Sequence, residues 1–142
     1  MDKARTYLSL ARKAGRIELG EEPVGAAARC QKARLLVVAQ DASDHTWRRA
    51  KSFVAGTDQQ CVKVPYTKAQ LGEAVGRQEL ALGAVTDPAL ALAFLKALED
   101  PVKYREALQS LEKRTERVLT RQAEARAHEK NVKKGRFTRK GK

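Results

Sequence analysis

The run Leu35-Leu36-Val37-Val38-Ala39 constrains this chain more than any other feature. It is apolar at every position rather than at alternate ones, the pattern of a strand covered on both faces, so whatever sheet it joins needs a layer of helices on each side. The flanking sequence supplies them. Ala4, Tyr7, Leu8, Ala11 and Ala14 recur at helical spacing from Lys3 to Ala14, and Gly15 then supplies the stop. Ile17 and Leu19 alternate with charged Arg16 and Glu18, a short strand, and Glu21-Glu22-Pro23 is acidic helix-opening chemistry for a second helix to about Arg29. Asp41 and Ser43 provide caps for a third helix over His45 to Ala55, with Trp47, Ala50 and Val54 on one face and Arg48 and Lys51 on others. Val62 and Val64 alternate around Lys63, Thr67 caps Ala69 to Val75, Leu82 to Val85 is another short strand, and Asp87-Pro88 opens Ala89 to Leu98. Strands and helices therefore alternate through residues 1–98, which predicts one compact α/β domain with its central strand at Leu35 to Ala39.

The charge balance changes beyond that domain. Residues 1–98 carry 15 basic and 10 acidic side chains, net +5, whereas residues 99–142 carry 14 and 7, net +7. Tyr104, Leu108, Leu111, Thr115, Val118, Gln122 and Ala125 follow a four-three spacing, which predicts a charged amphipathic helix over residues 99–129. Its stripe suits docking on the domain, or a dimer through residues 104–125; otherwise a monomer is expected. Residues 130–142 hold seven Lys or Arg, no acid and a single Phe, a composition that buries no core, so a disordered basic tail is expected there. The total of 29 Lys and Arg against 17 Asp and Glu, net +12, favours a polyanionic partner.

Catalytic and metal chemistry find little footing. Cys30 and Cys61 make no disulfide framework and lie at no zinc-ligand spacing from His45 or His128. Neither histidine sits where a carboxylate would orient it as a base, and Asp41 and Asp44 read as helix-capping residues rather than a catalytic pair. Gly15 and Gly20 have the spacing of a phosphate loop, but Glu21 and Glu22 stand where that loop needs Lys and a hydroxyl. No enzyme activity, cofactor or metal is expected. The longest apolar stretch, Pro88 to Leu95, is too short to span a membrane, and Lys3, Arg5, Arg12 and Lys13 break up any signal-peptide core. A cytoplasmic protein without membrane contact is expected.

Three local signatures then occur in order: Leu19-Gly20-Glu21-Glu22 opening a helix; Ala33-Arg34-Leu35-Leu36-Val37-Val38-Ala39-Gln40-Asp41-Ala42-Ser43; and Leu71-Gly72-Glu73-Ala74-Val75-Gly76-Arg77 followed by Ala84-Val85-Thr86-Asp87-Pro88. Together they resemble the kink-turn RNA-binding ribosomal protein superfamily, the seven-A-e and thirty-e kind, and most closely its bacterial YlxQ-type members, over about residues 3–98. The resemblance implies a three-layer α/β/α sandwich with a small mixed four-stranded sheet. It implies a grip on sharply bent, structured RNA by Gly20, Glu21 and Glu22 at the start of the second helix, and by the loop after Gly76 with Arg77, Gln78, Leu80 and Ala81. Ribosomal RNA and the ribosome are the partners it points to. Where family members place donors for guanine, this chain has Glu22, Pro23 and Ala26. A carboxylate accepts from an exocyclic amine such as adenine N6 but donates nothing to guanine O6, and Ala26 does neither. Arg29 and Lys32 further along the chain, and Arg77 in the later motif, are the candidate compensating donors. Lys130, Lys133, Lys134, Arg136, Arg139 and Lys140 of the tail are expected to add affinity without sequence preference. The alternative is a protein-interaction adaptor of the same fold that associates through its C-terminal helix.

Overall fold

The computed structural model describes residues 2–113, 115 and 124. The elements run α1 (Lys3–Lys13), β1 (Ile17–Leu19), α2 (Glu21–Arg29), β2 (Leu35–Val38), α3 (Asp44–Val54), β3 (Gln60–Lys63), α4 (Lys68–Val75), β4 (Leu82–Val85) and α5 (Pro88–Ala97). A sixth helix, α6, is described over residues 105–113. The sheet order is β1-β4-β2-β3, with β1 and β2 antiparallel to β4 and β3 parallel to β2. The sheet is therefore mixed and four-stranded, and the all-apolar run sits inside it.

Why β2 is apolar at every position follows from where its side chains go. Leu35, Val37 and Ala39 enter a core with Leu8 of α1, Leu71 of α4 and Phe94 of α5, while Leu36 and Val38 enter a second core with Val24 of α2 and Ala50 of α3. Each side chain is removed from water, at about 1.5–3 kcal/mol per fully buried aliphatic residue, so both helix layers are held to this one strand. The result is a three-layer α/β/α sandwich.

Four helices begin under a side-chain oxygen: Asp2 accepts from Arg5 N (3.1 Å), Ser43 from Thr46 N (3.1 Å), Thr67 from Gln70 N (3.2 Å) and Asp87 from Ala89 N (2.8 Å). Asp41 does not cap α3 as expected; its carboxylate accepts from Lys68 N (2.8 Å), tying the end of the central strand to the start of α4. After α4 the chain turns at Gly76 and returns against the helix, so closely that a Cβ on Gly72 would stand 2.6 Å from Glu79 Cα. Only glycine fits there.

The core does not stop at Leu98, where the charge balance shifts. Tyr104, Ala107 and Leu111 are buried in the α1/α4/α5 core, with Leu108 packed beside them. Residues 101–104 form a turn and the helix starts at residue 105, so the start of the four-three stripe points inward. Of the two uses expected for that part of the stripe, docking on the domain or pairing with a second copy, the chain makes the first. It also covers a sheet edge: Tyr104 Oη donates to Lys63 O (3.3 Å) and Ser110 Oγ to Asp58 O (3.3 Å), along the side of β3 that has no strand neighbour. Val118, Gln122, Ala125 and the whole of residues 130–142 lie outside the described residues. Among the described residues no helix is long and apolar enough to cross a membrane.

Candidate nucleic-acid interface

One end of the sheet gathers the segments that matter. Gly20 N donates to Leu82 O (3.0 Å), Ala39 N to Ala81 O (3.0 Å) and Gln40 N to Tyr66 O (2.9 Å). The start of α2, the start of β4 and the exits of β2 and β3 therefore meet, and α3 and α4 begin at the same end because they follow those strands. Gly20 occupies φ +94°, a backbone conformation costly for any residue with a Cβ. Unlike the four helices above, α2 has no side-chain cap. Its first-turn amides, less that of Pro23, which has no N–H, are left for solvent or a ligand.

Two carboxylates flank those amides and differ in state. Glu21 Oε1 is 2.6 Å from Arg49 Nε of α3, and the Arg49 guanidinium also stands 5.1 Å over the Phe53 ring, so this carboxylate is neutralised and fixed. Glu22 is exposed and makes no ion pair among the described residues. Beyond it, an open cleft of about 400 Å³ runs along α2, lined by Glu18, Pro23, Ala26, Cys30, Lys32 and Thr86. Lys32 thus shares a groove with Ala26. Arg29, exposed in the last turn, lies at the opposite end of the helix from Gly20, about 13 Å away for nine residues at 1.5 Å each. Glu21 and Glu22 can meet a ligand at the sheet end; Arg29 is placed for its far side.

In the return loop Arg77 and Gln78 are exposed, as the reading of that loop requires. Leu80 is not available to a base. It is 5% exposed and packs in the α1/α4/α5 core, because its amide is held by Lys68 O (2.9 Å) and the loop is pressed onto α4. Ala81 is half-buried, its carbonyl taken by Ala39. The tail residues Lys130, Lys133, Lys134, Arg136, Arg139 and Lys140 lie outside the described residues.

The sequence reading missed two features. The first is Arg49, whose partner Glu21 is 28 positions away and visible only once α2 and α3 pack. The second is Trp47, which carries the ammoniums of both Lys51 and Lys63 at 5.3 Å from its ring centroid. Lys51 was expected on another face of α3, although four-residue spacing puts it one turn above Trp47 and was the available signal. Nearby, burial pushes the Cys61 thiol up to about 12, against the opposing pull of the Lys51 charge. The direction of that shift keeps the thiol protonated at neutral pH, so it gives no support to a nucleophilic role.

No family model matches the chain. The RNA-binding protein YlxQ of Enterococcus faecium is 30% identical over 83 residues, which span 58% of this chain and 80% of that protein. Among solved structures, a Bacillus halodurans protein of unknown function superposes with a TM-score of 0.65 at 23% identity, over 70% of this chain and 100% of its own. The Giardia lamblia 15.5kD RNA binding protein gives a TM-score of 0.50 at 17% identity, over 67% of this chain and 81% of its own. At those identities the two structures share the fold.

Proposed function

The chain belongs to the YlxQ group of the kink-turn RNA-binding ribosomal protein superfamily, and from that premise we propose that it is a non-catalytic RNA-binding protein that recognises a sharply bent, kink-turn-like element of ribosomal RNA in the cytoplasm. The observation that carries the reading is the bare start of α2. Four helices spend their first-turn amides on a side-chain oxygen and α2 does not, which leaves donors and the positive end of a helix dipole for an anion. The Enterococcus relative, named as RNA-binding, supports a phosphate of RNA as that anion. The net charge of +12 supplies long-range attraction, and the neutralisation of Glu21 by Arg49 removes one of the two local repulsions. Glu22 is left to accept from a base amine at the edge of the bend.

An adaptor role through residues 104–125 would need Tyr104 and Leu111, which the chain buries in its own core. The reading is tested by measuring affinity for a labelled kink-turn RNA and for a straight duplex of equal length at one salt concentration. Tighter binding of the kink-turn supports it. Equal affinity removes the kink-turn, and no binding of either removes RNA.

A further inference from the structure

Trp47 is half-buried against the α2/α3 core, and both Lys51 Nζ and Lys63 Nζ stand 5.3 Å from its ring centroid. Two like charges are thus held within twice that distance of each other, although neither makes an ion pair among the described residues. The quadrupole of the indole attracts each ammonium, but it does not cancel their mutual repulsion. Bound anions would.

Position decides which anion. Lys63 is the last residue of β3 and registers with Val38, Val38 registers with Leu82, and Leu82 O accepts from Gly20 N. Three lateral steps of about 4.8 Å place the Lys63 backbone about 14 Å from Gly20, at the same end of the sheet. A ligand docked on the bare start of α2 therefore needs to extend only across the sheet end to reach the lysine pair. A polymer with repeated phosphates does so; a single small anion does not link the two places.

We propose that Trp47, Lys51 and Lys63 form a second phosphate contact for the RNA, separate from α2 and the Gly76 loop, in which the indole positions two ammoniums for one or two backbone phosphates. The inference rests on the RNA-binding reading. It assigns to α3 and the end of β3 the task of fixing the direction in which the RNA leaves the α2 face, since phosphate contacts orient a nucleic acid without reading its sequence.

The full chain has a single tryptophan, so intrinsic emission reports on this place alone. A fluorescein-labelled kink-turn RNA is titrated by anisotropy over a salt series, with Trp47 emission followed in parallel using unlabelled RNA. The double variant Lys51→Gln/Lys63→Gln is expected to reduce the slope of log affinity against log salt by about one to two units. Trp47 emission in the parent should change with the same midpoint as the anisotropy, and that change should shrink in the double variant. Lys3→Gln/Lys13→Gln removes the same charge from α1, on the other face of the sheet, and should leave the slope unchanged. An equal loss of slope in both double variants, or an unchanged slope with silent Trp47 emission while RNA still binds, overturns the second contact and leaves the α2 site standing. Failure of the parent to bind any RNA overturns both.

Discussion

Arg49 Nε lies 2.6 Å from Glu21 Oε1, so a cation of α3 is pinned to the first turn of α2 beside its uncapped amides. Both side chains are nearly half exposed, which limits the pair to about 0–1 kcal/mol of stability. Its effect is on the local field. Arg49→Ala frees the Glu21 carboxylate at the anion-facing helix start, and about 1 kcal/mol of added repulsion there is about a 5-fold loss of RNA affinity. Adding Glu21→Gln to that variant should recover most of the loss, while the thermal midpoint of both stays near that of the parent. Anisotropy and thermal melts on the same samples check the pair of outcomes.

Ala26 lies in the α2 cleft, one turn beyond Glu22 and on the same face. Ala26→Lys places a donor where guanine O6 would otherwise meet a methyl group. Affinity for a kink-turn is expected to rise by about 1–3 kcal/mol, the range of a good base contact, and affinity for a straight duplex by much less. Both RNAs are compared at one salt concentration because any added lysine strengthens nonspecific binding. Equal gains would show that this face does not read the bend.

How much of this was legible in the sequence depends on distance along the chain. Local rules placed the nine elements because each is announced by neighbouring residues: the continuous apolar run of β2, Thr67 above Gln70, Asp87 before Pro88. The roles of Gly20 and of the loop at Arg77 came from the resemblance of three ordered motifs rather than from any local rule. The role that the resemblance implies for Leu80 does not hold because the loop is pressed onto α4, a close approach permitted by Gly72, eight positions earlier, and no motif records that packing. The Glu21–Arg49 pair and the meeting of Trp47 with Lys63 depend on helix packing and strand register, which no local pattern encodes. The four-three stripe was visible, but periodicity alone does not say whether it faces its own chain or another.

The terminal segment from Lys130 to Lys142 has seven cations and no acid. Its removal should weaken binding to all RNAs alike, since contact with phosphate carries no sequence information. If about four of the cations touch phosphate, the salt slope falls by roughly three to four units. Salt titration of the truncated chain on two unrelated RNAs measures both; an unchanged slope assigns the segment to another partner.

Leu111 is fully buried although it lies beyond the alternating region. Leu111→Ala should destabilise the fold by about 2–5 kcal/mol, as truncation of a core leucine does. Denaturant unfolding gives the value. A surface helix with no role in the core would lose less than about 0.5 kcal/mol.

Tyr66 Oη donates to Asp2 Oδ2 (2.7 Å), joining the loop before α4 to the cap of α1. Burial would raise the Asp2 carboxyl, but the bonds from Tyr66 and Arg5 outweigh it and hold the group below its ordinary value; burial and then the Asp2 bond push the Tyr66 phenol up. The depressed carboxyl contributes stability that is present above its unfolded value of 3.8 and lost as pH falls through the folded one. The raised phenol contributes stability that is present below 10.0 and lost as pH rises through its folded value. Tyr66→Phe should cost about 0.5–1.5 kcal/mol at neutral pH and move the Asp2 titration upward, read by NMR.

The outer edge of β3 is closed by a turn and helix that come some forty residues later in the chain, through the Tyr104 bond to Lys63. At roughly 5–20 residues per second, synthesis takes about 2–8 s to pass from one to the other. For about the last 1–4 s of that interval, once β4 has been made at Val85, the sheet can be complete while its last row of amides and carbonyls is open to a strand from elsewhere. The hazard of edge-to-edge association therefore belongs to the growing chain rather than the finished one, and it depends on how closely successive copies are made.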